Sequence, residues 1–542
     1  MKILDYVIVG SGCSGSMVAQ TLTDAGVDVT MLDSGTTGAA PNNPPVGRSF
    51  FDLRKNDPDQ YKYFIGDRGQ GINWGEVSKG AQVTPPRLYM TNHVNKYLPL
   101  SSKTFSPLES LGYGGLGIGW GLQCWEYSDA DLHKVGLNPA DIRVAYDVVA
   151  NRIGVSATRD EAANYTIGSL KHFQPSARAD RNHKLLQKIY SRRKKSLQRK
   201  GFYVGRTPLA LITKKVGDRK AYRYLDTDYY SDADKSAWRP WITVDALKRK
   251  RNFHYVGNLL VTSFEEKKDI VTVHALDVIS GEKKEFLCHH LILASGAFGS
   301  ARIVMRSQGK IGSKVPVLSN PHSYIPCIQI RMLGRGYERK KLGFGQLSYF
   351  IDPNGDDSEI SVASSYSYQS LMLFRIIAQM PFNLADGRTL ARFLTPGLIV
   401  MIAQHPDKAS PHKYLKLVSD KDSPTGDRID AHYELSQKDE DEWNRRERMY
   451  VSLMRKLHVF AIKRVKTEHG SGIHYAGTLP FSDTAAALHL DPSGRLHKTK
   501  HVYVADSSGF KFLPAKGLTF TLMANAHVVA KNILKETVDD KK

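Results

Sequence analysis

Cysteine is scarce in this chain: four in 542 residues, at Cys13, Cys124, Cys288 and Cys327. They form no CxxC pair and no metal-ligand spacing. That excludes a disulfide-stapled secreted scaffold and a zinc module, so a reducing compartment and no metal are expected. Long hydrophobic runs are missing as well. The longest strictly apolar stretch, Leu398 to Ala403, falls far short of the ~20 residues of a membrane-spanning helix. No charged region followed by an apolar one stands before the first strand. No leader is expected, and the chain reads as soluble and cytoplasmic. Zinc-finger spacing, RNP-like motifs and internal repeats are absent too, which removes the usual nucleic-acid modules. Acidic residues are outnumbered: 76 Lys and Arg against 54 Asp and Glu leave a formal charge of +22. Such an excess attracts anionic substrates, acidic proteins or membrane surfaces. Its densest cluster, Arg192–Lys195 with Arg199 and Lys200, lies on an expected helix, Asn182 to Lys200. Leu185, Leu186, Ile189 and Leu197 form the opposite side, so a solvated helix face is the plainer reading.

What is present begins with Gly10-Ser11-Gly12-Cys13-Ser14-Gly15. Before it stands Asp5-Tyr6-Val7-Ile8-Val9, an apolar, β-branched run that reads as a buried parallel strand. After it, Ser14 to Ala25 carries Met17, Val18, Leu22 and Ala25 at helical spacing and ends at Gly26. A second strand, Val29 to Leu32, finishes in Asp33. Strand, glycine loop, helix, strand and acid make a dinucleotide-binding βαβ unit. Gly10 permits the tight turn, Gly12 lets backbone approach a pyrophosphate, and Gly15 lets helix pack on strand. Cys13 and Ser14 open the helix whose N-terminus faces the phosphates. Asp33, about 20 residues on, is placed to hold a ribose hydroxyl. The loop alone does not separate NAD from FAD.

Further along, residues 40 to 100 are rich in Pro, Asn, Gly and Asp and read as an excursion over the ligand. A second glycine cluster, Gly112 to Gly121, is interleaved with Tyr113, Leu116, Ile118 and Trp120, as suits backbone lying against a flat ligand. Asp129 to Val149 reads as one helix capped by Asp129 or Asp131. From Phe253 a strand meander follows: His254–Val256, Leu259–Phe264, Ile270–Ala275 and Lys284–Cys288. It returns through the buried strand His290–Ala294 into Ser295-Gly296-Ala297-Phe298-Gly299-Ser300, a second strand–glycine–helix junction. Alternating runs at Ser323–Met332, Gly345–Ile351 and Glu359–Ala363 predict another sheet. Leu371 to Phe393 is an amphipathic stretch broken at Pro381 and Gly387; it reads as core, a lid or a membrane-dipping patch. Lys438 to Ile462 is an expected helix with Ser436 as cap. Then come Gly470 to Thr478, a buried strand Val502–Ala505 ending in Asp506, the segment Leu513 to Thr521, and a helix Leu522 to Leu534.

These elements, in this order, resemble the glucose–methanol–choline (GMC) oxidoreductases, and more the bacterial sugar and polyol dehydrogenases and pyranose-oxidase-like members than the choline dehydrogenases. The residues that carry the resemblance are Gly10–Gly15 with Asp33, Gly114-Gly115 to Trp120, Ala294 to Arg302, His474-Tyr475-Ala476-Gly477-Thr478, and Tyr503-Val504-Ala505-Asp506 with Leu518 to Thr521. The resemblance implies an α/β chain, α+β overall. A Rossmann-type FAD-binding domain would be built from residues 1–135, 246–312 and 480–542. Residues 136–245 and 313–479 would form a substrate domain on a mostly antiparallel sheet. It implies FAD as cofactor and oxidation of a small-molecule alcohol to a carbonyl. By position, Gly12 and Cys13 meet the pyrophosphate, Leu260 and Val261 pass the adenine, and Gly115, Gly117, Gly119 and Trp120 run along the flavin. Ser295 and Gly296 back the first loop. Asp506 lies near the ribityl–pyrophosphate region, and Gly517, Leu518 and Thr519 close the site. His474 matches the catalytic base of the family.

Two positions depart from the family pattern. Gly119 stands where some members attach the flavin covalently through histidine, so FAD is expected to be non-covalent. Gly517 stands where the family places Asn or His beside the catalytic histidine, and the adjacent Lys516 is a candidate charged donor. That departure leaves two further readings. One is a biosynthetic flavoenzyme acting on a carrier-bound or lipophilic intermediate, with an acidic carrier, an electron-acceptor protein or a membrane as partner. The other is a flavin-binding scaffold without turnover.

Overall fold

The computed structural model describes the chain apart from residues 1, 38–42, 68, 70–82, 169–170, 172, 356–359, 368–380, 382 and 540–542. Residues 371–380 and 382 of the stretch Leu371–Phe393 therefore lie outside the described residues; its far end is a helix, Leu384–Leu394, capped by Asn383. No described helix is long and apolar enough to cross a membrane.

The first sheet has seven strands. Phe253–Val256, Val29–Leu32, Ile3–Val9, Lys283–Leu293, Ile270–Asp277 and Leu259–Lys267 lie side by side, and Val502–Val504 joins Lys283–Leu293. The first four are mutually parallel, as is Val502–Val504 on Lys283–Leu293. Val7, Ile8, Leu291 and Ile292 are fully buried. Both faces of the sheet are covered, which is why these strands read as unbroken apolar runs. On one face Cys13–Asp24 packs with the closing helix Thr519–Asp539 and with Pro139–Ile153; Met17, Leu22, Tyr146, Val149, Met523 and Val529 share one core.

Register decides where the motifs meet. Val9 pairs with Leu32 and Leu293, and Leu293 pairs with Val504. The carboxyl ends of four parallel strands are level, so Gly10, Asp33, Ala294 and Ala505–Asp506 leave the sheet at one edge. Ligands of open α/β sheets bind along that edge.

Two expected strands prove to be one. Lys283–Leu293 runs antiparallel to Ile270–Asp277 through Cys288, then pairs in parallel with Val502–Val504 from Leu291 onward. Cys288 is buried, His289 is exposed and His290 half-buried, and the strand runs on through both. The expected helix Asp129–Val149 is two, Asp129–Val135 and Pro139–Ile153. Gly136 adopts φ +94°, Asn138 caps the second helix and Pro139 opens it, a stop and start that outweigh the periodicity. The cap of the first is Ser128, whose hydroxyl accepts from Asp131 N, and not Asp129 or Asp131. The second helix packs on the closing helix, so its core crosses the boundary expected at residue 135. Gln437–Arg455 has the expected cap, Ser436, but ends early. His458 is left-handed, and Val459–Ala461 leaves as a strand with Phe460 exposed.

The second sheet is antiparallel: Val459–Ala461, His322–Gln329, Leu398–Gln404, Ser361–Ser367, Leu347–Ile351 and Phe202–Arg206, with Val465–Lys466 beside His322–Gln329. Arg181–Gln198 and Gln437–Arg455 cover it through Leu186, Ile189, Tyr190, Tyr450, Leu453 and Met454. The basic cluster lies on the exposed side of Arg181–Gln198, where Lys194 pairs with Glu161 and Arg193 bonds the Lys456 carbonyl. A smaller sheet, Lys314–Pro316, Lys413–Ser419, Asp427–Tyr433 and Leu100–Ser101, packs on Gly296–Ser307 through Val315, Leu415, Ala301 and Met305.

Candidate active site

One cavity runs along the carboxyl edge of the first sheet and on toward the second. Its near end is the glycine loop. Gly10 turns at φ +100°, where an added Cβ would strike the Ala294 carbonyl. A Cβ at Gly15 would overlap the Gly10 carbonyl, so Gly15 seats the helix and stays behind the cavity wall. Gly10, Gly12, Cys13 and Ser14 line the cavity. Gly12 caps the helix without a side chain, and no acidic residue stands in the first turn. The helix N-terminus is thus open to an anion. Burial pushes the Cys13 thiol up to about 12, which keeps it a neutral wall and not a nucleophile.

Asp33 is buried at the same end. It accepts from Ser11 N (3.2 Å), Ser11 Oγ (2.5 Å) and Tyr255 OH (3.0 Å). Burial raises its pKa and these hydrogen bonds oppose the rise. Ser11 also accepts from Gly114 N at 2.8 Å. One hydroxyl ties the first glycine loop to the acid and to the second glycine cluster. Sequence alone assigns Ser11 no role beyond its place inside the glycine motif, which was the available signal.

Gly115, Gly117, Gly119 and Trp120 line the cavity, as does Val261, two residues on from Leu259, whose N–H donates to the Asp33 carbonyl at 2.9 Å. A Cβ at Gly117 would meet Pro240 Cγ at 2.5 Å and Cys13 Sγ at 2.7 Å, so only glycine fits between them. Trp120 donates its indole N–H to the Trp238 carbonyl, and Arg239 donates to the Trp120 carbonyl at 2.8 Å. Ser295, Gly296 and Asp506 line the opposite side. Asp506 accepts from Ser300 Oγ (2.6 Å), Ser508 N (2.9 Å) and Ser508 Oγ (2.5 Å).

His474 lies at the far end, on the cavity. The residue before it, Ile473, holds φ +59°, an unusual state for a β-branched residue that swings the chain into the site. His474 Nδ1 stands 3.0 Å from Asn320 Oδ1. Burial pushes the imidazole down to about 4, so it is neutral at pH 7. Gly517, Leu518 and Thr519 line the cavity beside it. A Cβ at Gly517 would lie 3.6 Å from His474 Cε1 and 3.8 Å from Nε2, an ordinary contact. Gly517 leaves that space open. Lys516 does not enter it: the residue is 1% exposed, off the cavity lining, and its ammonium donates to the Glu126 carbonyl at 2.9 Å. The expected charged donor is directed instead at the backbone carbonyl of Glu126.

Comparison with known proteins finds three likenesses. The model of the GMC oxidoreductase family matches residues 415–526, the stretch that holds His474, Asp506 and Gly517. The chain is 23% identical to a paromamine 6′-oxidase of Streptomyces fradiae over 97% of this chain and 90% of that protein. Among solved structures it resembles a pyridoxine 4-oxidase from Mesorbium loti, with a TM-score of 0.59 at 12% identity, over 98% of this chain and 99% of that one.

Proposed function

We propose that the chain is a GMC oxidoreductase that uses FAD to oxidise a CH–OH group of a sugar, glycoside or polyol-like alcohol, with His474 as base. The observation that carries this reading is the single cavity joining an uncapped helix N-terminus at Gly12 to a buried neutral histidine.

The residues fit an FAD. The N-terminus of Cys13–Asp24 suits a pyrophosphate, Asp33 a ribose, and the side-chain-free wall Gly115–Gly119 a flat ring. Gly119 offers no side chain for a covalent link, and the reading keeps the flavin non-covalent. When bound, FAD supplies the acceptor for the hydride that leaves the alcohol carbon. His474 takes the hydroxyl proton at Nε2, the ring edge beside Gly517. With its pKa held near 4, the imidazole is a neutral base at pH 7. Gly517 gives room for a ring substituent next to the reacting carbon. The two named relatives act on a 6′ position of paromamine and a 4 position of pyridoxine, so amino sugars and hydroxymethyl pyridines lead the substrate panel. The reading also keeps the chain in the cytoplasm: its four cysteines are buried and unpaired.

The test is anaerobic mixing of the yellow protein with that panel. A substrate bleaches the flavin absorbance, and His474→Ala slows bleaching by about a hundredfold or more. Flavin that no alcohol reduces, or a His474→Ala variant that bleaches at the normal rate, overturns the reading.

A further inference from the structure

We propose that Asn320 is a positioning residue that locks His474 in the tautomer with its proton on Nδ1, which leaves Nε2 as the lone-pair edge facing the cavity. The inference rests on reading His474 as the base and concerns how this chain prepares it.

The argument starts from the amide. Asn320 is 2% exposed, and its Nδ2 lies 2.7 Å from the His405 carbonyl oxygen and 2.9 Å from the Pro514 carbonyl oxygen. A backbone carbonyl only accepts, so the group between the two must be the NH2, with both its hydrogens used. Turning the amide over would set three oxygens against one another and strand two buried carbonyls. The orientation is therefore fixed by partners that cannot change role. Oδ1 is left facing His474 Nδ1 at 3.0 Å. An amide oxygen only accepts, so Nδ1 carries the hydrogen. A neutral imidazole has one ring proton, and Nε2 is bare.

Backbone register brings the pair together. Leu318 pairs with Ala476 and Ser319 with Tyr475 in a short antiparallel ladder. One step on, Asn320 stands opposite His474, where cross-strand side chains touch. The two carbonyls come from elsewhere: His405 follows the strand Leu398–Gln404, and Pro514 precedes Lys516-Gly517. Asn320 thus ties His474 to the closing loop as well as to the second sheet. The titratable neighbours do not compete for Nδ1. His322 Nδ1 is engaged with Thr467 Oγ1 at 3.1 Å, and burial pushes its pKa down to about 3. Lys516, on the closing loop, directs its ammonium to Glu126. His405 presents its carbonyl, and its ring is held toward neutrality by burial while it faces Glu447.

The experiment reads ring nitrogens in the flavin-loaded protein labelled with 15N-histidine, with His474→Gln identifying the His474 signals. At pH 7 the expected spectrum shows a protonated Nδ1 and a bare Nε2. In Asn320→Ala the two tautomers mix. Flavin reduction at saturating levels of the first panel substrate that bleaches the wild type falls at least tenfold. KM stays within threefold and the yellow colour remains. Asn320→Asp restores an acceptor at Nδ1, while its second oxygen faces the His405 and Pro514 carbonyls and lowers stability. It keeps the wild-type tautomer, regains part of the rate, and moves the acid limb of the rate profile upward, because a carboxylate favours the imidazolium. A wild-type proton on Nε2 overturns the proposal, as does Asn320→Ala with unchanged tautomer and rate. Should Asn320→Ala fail to fold, the wild-type spectrum and the Asp variant decide. A panel in which no alcohol bleaches the flavin defeats the proposed function, whereas the tautomer is read without substrate.

Discussion

At the scale of the residue, His474 makes the sharpest prediction. Its folded pKa is depressed to about 4 against about 6.5 when exposed. A depressed histidine binds fewer protons folded than unfolded. Its stabilising contribution is complete above about pH 6.5 and is lost as pH falls toward 4. His322, depressed to about 3, acts in the same direction. The melting temperature of the wild type should therefore drop more steeply between pH 6.5 and 4 than that of His474→Gln, as calorimetry across that range would show. Gly517 makes the second. A methyl fits there, but Gly517→Asn fills the space beside Nε2, and KM for ring substrates should rise at least tenfold with flavin content unchanged. Lys516 makes the third. Lys516→Met strands the Glu126 carbonyl, which costs about 1–3 kcal/mol in urea titration, and should leave KM where it was. Spacing marked Asp33 and the glycines, and the resemblance to a family marked His474; the structure brings them to one cavity. Asn320 was not legible, because an Asn before a Pro reads as a turn, and its role depends on a residue 154 positions away.

At the scale of the element, propensity and periodicity located most helices and strands, and local stop signals corrected the rest. Gly136 to Pro139 broke a helix that the apolar stripe would have continued, and left-handed His458 ended another. The turn Gly10–Gly15 is where an element is least forgiving. Gly15→Val would push the helix Cys13–Asp24 off the Gly10 carbonyl, and with it the N–H groups that face the cavity. The variant should purify with little or no flavin, measured as the ratio of visible to ultraviolet absorbance, even where circular dichroism shows the helices intact. Ser11→Ala is milder: it removes the bond to Asp33 and the acceptor of Gly114 N. Flavin should be retained but released several-fold faster on dilution.

At the scale of the whole molecule, the site is assembled from segments hundreds of residues apart, and what brings them together is the level register of four parallel strands. Motif order announced that arrangement; side-chain partnerships across it had no local signature. On the proposed reading Gly119 leaves the flavin non-covalent, so acid precipitation should release all the yellow colour into the supernatant, and colour held in the pellet would contradict it.

The strand Lys283–Leu293 carries one more consequence. Its last three residues have a slot on one side that only Val502–Val504 fills. While the chain is being synthesised, more than 200 residues emerge before that slot can close. During that interval an apolar strand edge is open to pairing with any neighbour. Chains interrupted before residue 502 should aggregate. In the cell, the yield of this protein should then depend on how quickly Val502–Val504 follows.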